Sequence, residues 1–149
     1  MNISVRCPFC ELPDIQERVV ARNTLAWAFL TNIPITQWHT LVAPVRCVPG
    51  ISALTHDELL AIFSLLKHVQ QALVKTFSAE GFNYAWNEGQ VAGQSVPHVH
   101  VQVIPRKSGD KGIYEYEPRH YLYLPGRERP ISDLQELKEV AELIKQHIV

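Results

Sequence analysis

In the stretch SVPHVHVQVIPR, residues 95–106, His98, His100 and Gln102 recur at intervals of two, with Val99, Val101 and Val103 between and after them. Side chains two apart on a strand share a face. The valines are therefore expected on one face, and the two imidazoles and the carboxamide on the other. Imidazole titrates near neutral pH and can act as nucleophile, acid or base. The preceding run is Gly89-Gln90-Val91-Ala92-Gly93-Gln94-Ser95. Its glycines let backbone N–H groups approach an anion closely, and Ser95 adds a hydroxyl. Phosphate chemistry is the reading these groups favour. A half-exposed sheet face that happens to carry polar residues is the plainer one.

A second constellation opens the chain as Cys7-Pro8-Phe9-Cys10. Two thiolates at this spacing can bind one tetrahedral zinc ion, which needs two more ligands. The sequence offers Cys47 and His98. Two free thiols with a buried Cys47 are the alternative. A glutaredoxin-like redox motif is another, since SVPHVHV resembles a cis-proline strand. That fold wants a helix starting at the cysteines within a βαβ unit. Here Pro13 and extended runs follow instead.

Periodicity places the elements that must carry these groups. Residues 16–22 and 25–31 read as a hairpin about Asn23, and 39–44 as a third strand stopped by Pro44. Leu59, Ile62, Phe63, Leu66, Val69, Leu73 and Phe77 recur at helical spacing, which predicts a helix over 55–77. Thr55 and Glu58 form a capping box at its start, and Gly81 is expected to stop it. Strands follow at 82–88 and 98–104. Residues 105–130 have no clear period, and a second capped helix is predicted over 132–147. The pattern is α+β, with a mainly antiparallel sheet of about five strands and one long helix.

The chain has 149 residues, the size of a single domain, so residues 1–149 are expected to form one unit. Fourteen Lys and Arg against fifteen Asp and Glu give no field for bulk binding to nucleic acid or a membrane surface. No apolar run reaches the roughly 18 residues of a membrane span, and MNISVRCPFC lacks the apolar core of a secretory signal. Three cysteines cannot all pair, so a reducing cytoplasm is expected.

GQSVPHVHVQVIPR resembles the signature of the histidine triad family, in which three histidines alternate with apolar residues after Gly-Gln-Ser or Gly-Gln-Thr. LAWAFLTNIPITQWHTLVAPVR resembles the family's strand pair, and the Asn87-Glu88-Gly89 turn falls in the expected order, so the likeness covers about residues 7–109. The resemblance implies the family's fold and a nucleotide hydrolase or transferase acting at an α-phosphate, commonly as a homodimer. It implies that His100 is the nucleophile, forming a nucleotidyl–histidine intermediate, with the His98 carbonyl holding its other ring nitrogen protonated. Ser95 would lie by the leaving group. His39, Asn87, Gln94, Thr31 and Asn32 would contact the nucleotide or dinucleotide substrate. Bacterial members with a Cys-x-x-Cys zinc site imply a structural ion on Cys7, Cys10, Cys47 and His98.

The chain departs from the family at Gln102, where the third histidine would stand. The same replacement occurs in the uridylyltransferase and dinucleotide phosphorylase branches. A carboxamide donates to phosphoryl oxygen but cannot become cationic. The flanking sequence, including PRKSGD, looks closer to dinucleoside polyphosphate hydrolases, so hydrolysis leads. Transfer or phosphorolysis is the first alternative, and a non-catalytic nucleotide-binding module the second.

His56, His68 and His147 are expected at solvated surface. Residues 105–130 hold six basic residues, Arg106, Lys107, Lys111, Arg119, Arg127 and Arg129, around His120. They are expected to form a solvated connection. Trp27, Trp38 and Trp86 are expected in the core, with Trp38 beside the site through His39.

Overall fold

The computed structural model describes residues 7–110 and 130–149. Two helical turns, α1 (Pro8–Glu11) and α2 (Asp14–Glu17), lead into β1 (Val19–Arg22), β2 (Ala26–Leu30) and β3 (Thr40–Pro44). The long helix α3 (His56–Phe77), β4 (Gly81–Ala85), β5 (Val101–Arg106) and helix α4 (Leu134–Lys145) complete the order. The five strands form one sheet in the order β1-β2-β3-β5-β4, every neighbouring pair antiparallel. The expected α+β arrangement holds.

Alternation along the strands separates two faces. Ala28, Leu30, Val42, Val101 and Val103 pack with Leu65, Leu66, Val69 and Leu73 of α3 and with Leu137, Ala141 and Ile144 of α4. Trp27, Phe29, Leu41 and Ala43 point the other way and meet Cys7, Phe9 and Ile15 of the N-terminal turns. Register then fixes Gln102. It stands opposite Leu41 on one side and Ala85 on the other. Its side chain therefore belongs to the face away from α3.

The capping box of α3 is present. Glu58 N donates to Thr55 Oγ1 (3.1 Å) and Thr55 N to Glu58 Oε2 (2.8 Å). Arg46 also donates to both Glu58 carboxylate oxygens, at 2.9 and 2.8 Å. Arg46, followed by the Thr55 backbone, holds the Glu58 carboxyl at about 2.

Several boundaries differ from the sequence reading, each for a local reason. Residues 14–17 are helical, because Arg18 is buried and reaches back one turn to Asp14 (3.2 Å) while donating to the Leu30 carbonyl. The chain reverses after α3 at Ser78 (φ 55), so Gly81 opens β4 rather than ending the helix. The strand expected over 98–104 begins only at Val101 and runs to Arg106. The cap of α4 is Asp133, whose carboxylate accepts from Glu136 N (3.1 Å). Trp27 is buried, but Trp86 is 42% exposed. Trp38 turns toward α3, stacking on Phe77. His147 is half-buried and bonded to Thr76 Oγ1 at 3.0 Å, not solvated. The expectations for Lys111, Arg119, His120, Arg127 and Arg129 lie outside the described residues.

Candidate active site

On the sheet face away from α3 lies a cleft of about 230 Å³. Phe29, Leu41 and Gln102 reach it from β2, β3 and β5. Thr31, Asn32 and His39 come from the loop between β2 and β3. Asn87, Gln94 and Ser95 come from the loop between β4 and β5, and Phe9 and Arg18 from the N-terminal segment. The cleft thus gathers His100, Gln102, Ser95, His39, Asn87, Gln94, Thr31 and Asn32 into one place. His98 is not among its lining.

The geometry at His100 sets its chemistry. Its Nδ1 lies 2.8 Å from the His98 carbonyl oxygen. A carbonyl only accepts, so Nδ1 carries the proton and Nε2 keeps its lone pair. Burial pulls the His100 imidazole below its usual value, and the His98 carbonyl counters part of this. The ring is therefore neutral at neutral pH, the form that can attack phosphorus. Phe9 stands against it edge-on, centroids 5.0 Å apart at 80°.

The neighbouring polar groups divide into those that face the cleft and those that build it. Gln102 Nε2 donates to Asn87 Oδ1 (3.4 Å), and Asn87 Nδ2 donates to the Ala92 carbonyl. Ser95 is exposed at the cleft wall. Gln94 lines the cleft, but its carboxamide accepts from Gly89 N (2.7 Å) and donates to the Pro49 carbonyl (2.9 Å). Those two bonds brace the glycine loop, where Gly89 and Gly93 have φ of 82° and 92°. His39 is fully buried, and its Nδ1 accepts from Ile35 N at 3.1 Å. Its neutral ring thus carries the proton on Nε2.

His98 lies on the same side of the sheet as His100, both rings standing against Phe9 at 5.6 and 5.0 Å, but it does not open to the cleft. Both precede the ladder of β5, which begins at Val101. Val99 N instead bonds the Val48 carbonyl at 2.8 Å. His98 is completely buried and turns to the cysteines. Its Nε2 lies 2.8 Å from the Pro44 carbonyl, which leaves the Nδ1 lone pair facing Cys7 Sγ (3.4 Å) and Cys10 Sγ (3.6 Å). A tetrahedral zinc ion with usual bond lengths sets sulfur and nitrogen about 3.5 Å apart. With Cys47, all four ligand atoms lie within 4.8 Å of one another. A ligating histidine whose second nitrogen is fixed by a backbone carbonyl is the arrangement a metal site needs. Desolvation, then the neighbouring Cys7 and Cys10, pushes the Cys47 thiol up to about 12. A divalent cation would exert the opposite influence. The donor set fits zinc.

Phe9 and Arg18 escaped the sequence reading. Phe9 could have been found, because a turn that brings Cys7 and Cys10 to His98 must also bring the residue between them. Arg18 had no such signal, being one of several charges between Asp14 and Arg22.

The model of the HIT domain family matches residues 13–109. An asymmetrical bis(5'-nucleosyl)-tetraphosphatase from Schizosaccharomyces pombe is 39% identical over 134 residues, 84% of this chain and 73% of that protein. An AP-4-A phosphorylase from Mycobacterium tuberculosis is 34% identical over 107 residues, 69% of this chain and 55% of that protein. The solved structure of a hypothetical histidine triad nucleotide-binding protein from Sulfolobus tokodaii superposes with a TM-score of 0.74 at 24% identity. The match covers 95% of this chain and 91% of that one.

Proposed function

Because this chain belongs to the HIT domain family, we propose that it hydrolyses dinucleoside polyphosphates through a covalent nucleotidyl intermediate on His100. The observation that carries the reading is the 2.8 Å contact between His100 Nδ1 and the His98 carbonyl, at the wall of the cleft. The tetraphosphatase relative supports hydrolysis.

In the first step His100 Nε2 attacks the α-phosphorus, and the bond to the bridging oxygen breaks. The leaving nucleoside polyphosphate takes the electron pair, with Ser95 placed to donate a hydrogen bond to it. Positive charge develops on the ring, and the Nδ1–H bond to the His98 carbonyl stabilises it. Gln102 donates to a non-bridging oxygen. Water then attacks the nucleotidyl phosphorus, the Nε2–phosphorus bond breaks with its electron pair returning to His100 as neutral imidazole, and the water's proton passes to solvent. Thr31, Asn32 and His39 line the nucleoside side. Cys7, Cys10, Cys47 and His98 would hold a zinc ion whose part is structural, pinning the N-terminal turns and the peptide before His100. The three thiols suit a reducing, cytoplasmic setting.

Transfer to phosphate is the second reading. Gln102, which cannot supply a proton, favours it, as does the phosphorylase relative. We further propose a homodimer formed along β4.

Incubation with diadenosine tetraphosphate, with and without inorganic phosphate, followed by acid-free denaturation and intact mass measurement tests the scheme. The wild type should carry a nucleotidyl adduct, and His100→Ala should lose adduct and turnover while still binding nucleotide. A His100→Ala protein retaining a few per cent of activity would remove His100 as nucleophile. Products that include a nucleoside diphosphate only when phosphate is added would select phosphorolysis. Binding without turnover or adduct in the wild type would leave a nucleotide-binding module.

A further inference from the structure

Trp38 has a backbone that its side chain should oppose. Its φ is 70°, in the left-handed region that side-chain-bearing residues avoid. Glycine would take this conformation without cost. A tryptophan held there must be retained by its surroundings, and such outliers collect where geometry serves a site.

The surroundings form a clamp. The indole lies parallel to the ring of Phe77, centroids 3.8 Å apart at 6°. Lys107 Nζ stands 4.9 Å from the indole centroid. Thr40 Oγ1 donates to the Trp38 carbonyl at 2.9 Å. The anchors therefore come from the end of α3, from the residue after β5 and from the start of β3.

The positive φ makes consecutive side chains diverge. Trp38 goes to the helix side of the sheet, and His39 is buried against the cleft. The loop then closes on His39. Its N donates to the Thr36 carbonyl (3.3 Å), its carbonyl accepts from Thr31 N (3.1 Å), and its ring accepts from Ile35 N (3.1 Å). Two other ties hold the loop, Thr36 Oγ1 to the Pro105 carbonyl (3.0 Å) and Ser132 N to the Asn32 carbonyl (2.7 Å). Of these anchors to the rest of the fold, the Trp38 clamp is the one next in sequence to His39.

We propose that Trp38 is a positioning residue of the cleft: stacked on Phe77, it holds the 31–39 loop so that His39 and Thr31 form the nucleoside wall. It touches no reacting atom and acts through its neighbour. The inference rests on the proposed nucleotide site, and its effect belongs to substrate binding more than to the chemistry at His100.

Three variants separate the clamp from the backbone conformation. Trp38→Gly keeps the left-handed turn accessible and removes the clamp. Phe77→Leu removes the other ring and leaves residue 38 alone. Trp38→Phe keeps an aromatic face. Trp38→Gly and Phe77→Leu should each raise KM for diadenosine tetraphosphate, and weaken adenosine monophosphate binding, by about tenfold with kcat changed by no more than about threefold. The nitrogen and carbon-bound proton signals of the His39 ring should shift or broaden in both. Trp38→Phe should stay near wild type. Folded Trp38→Gly with wild-type KM and unmoved His39 signals would reduce Trp38 to a packing residue, as would a loss confined to kcat. If Trp38→Gly does not fold, Phe77→Leu decides by the same readouts. If the wild type turns over no dinucleotide, the proposed function fails, and the His39 signals still judge the clamp.

Discussion

At position 102 a neutral carboxamide occupies the cleft face of β5, one residue pair from Leu41 and one from Ala85. Its Nε2 already donates to Asn87 Oδ1, which leaves a second N–H for a phosphoryl oxygen. Losing one preorganised donor to a developing charge costs about 10²–10³ in rate. Gln102→Ala should therefore slow formation of the nucleotidyl–His100 adduct by that order in single-turnover quench experiments. Gln102→His supplies a group that titrates near neutral pH. If the glutamine marks a transferase, the histidine variant should divert product from phosphate to water. If hydrolysis is native, partitioning should stay with water and only the pH profile should move. Wild-type rates in both variants would make Gln102 a bystander. The part assigned to His100 came from the resemblance to the histidine triad family, since spacing alone presents two imidazoles and does not choose between them. That His98, on the same face, turns from the cleft to the cysteines is not given by alternation, which sets a side chain's face and not its partners.

The N-terminal turns show what an element needs when it cannot stand alone. Helix α1 has four residues, far below the length at which a helix holds itself in water. What fixes it is the approach of Cys7 and Cys10 to His98 and the contact of Phe9 with Phe29 at 5.0 Å. Purified protein should contain about one zinc per chain, in keeping with a closed four-ligand site. Cys47→Ser should lower zinc content and thermal stability together, since binding to a folded site adds to folding free energy. Each kcal/mol lost moves the midpoint by about 2–4 °C at this size. Metal-free protein whose melting is unchanged after all three cysteines are replaced would rule the site out. Helix α3 was readable to within a residue because its stripe and its capping box are both local in sequence. The short helix α2 was not, since its cause is the burial of Arg18 beneath Leu30, a contact twelve residues away.

At the scale of the molecule, β4 ends the sheet and, among the described residues, leaves one edge of its backbone open. Such an edge is a template for another strand. Beside it the surface is apolar, with Phe63 of α3 57% exposed and Trp86 42% exposed, both lining one shallow apolar groove with Ile51. A twofold axis at β4 would pair the edge with its own copy, joining two five-stranded sheets, and would place Phe63 and Trp86 of each chain in a self-complementary contact. Ala85 pairs with Gln102, so the strand that would meet the partner also flanks the cleft. Light scattering after size exclusion should give twice the chain mass for the wild type at micromolar concentration. Phe63→Glu with Trp86→Asp should give the chain mass, because two carboxylates buried against their symmetry mates without partners cannot be accommodated. Activity of that variant should fall along with zinc content unchanged, because the cysteine cluster lies on the other face. A wild type that is monomeric at that concentration, or a charged variant that remains dimeric, would place the interface elsewhere or nowhere.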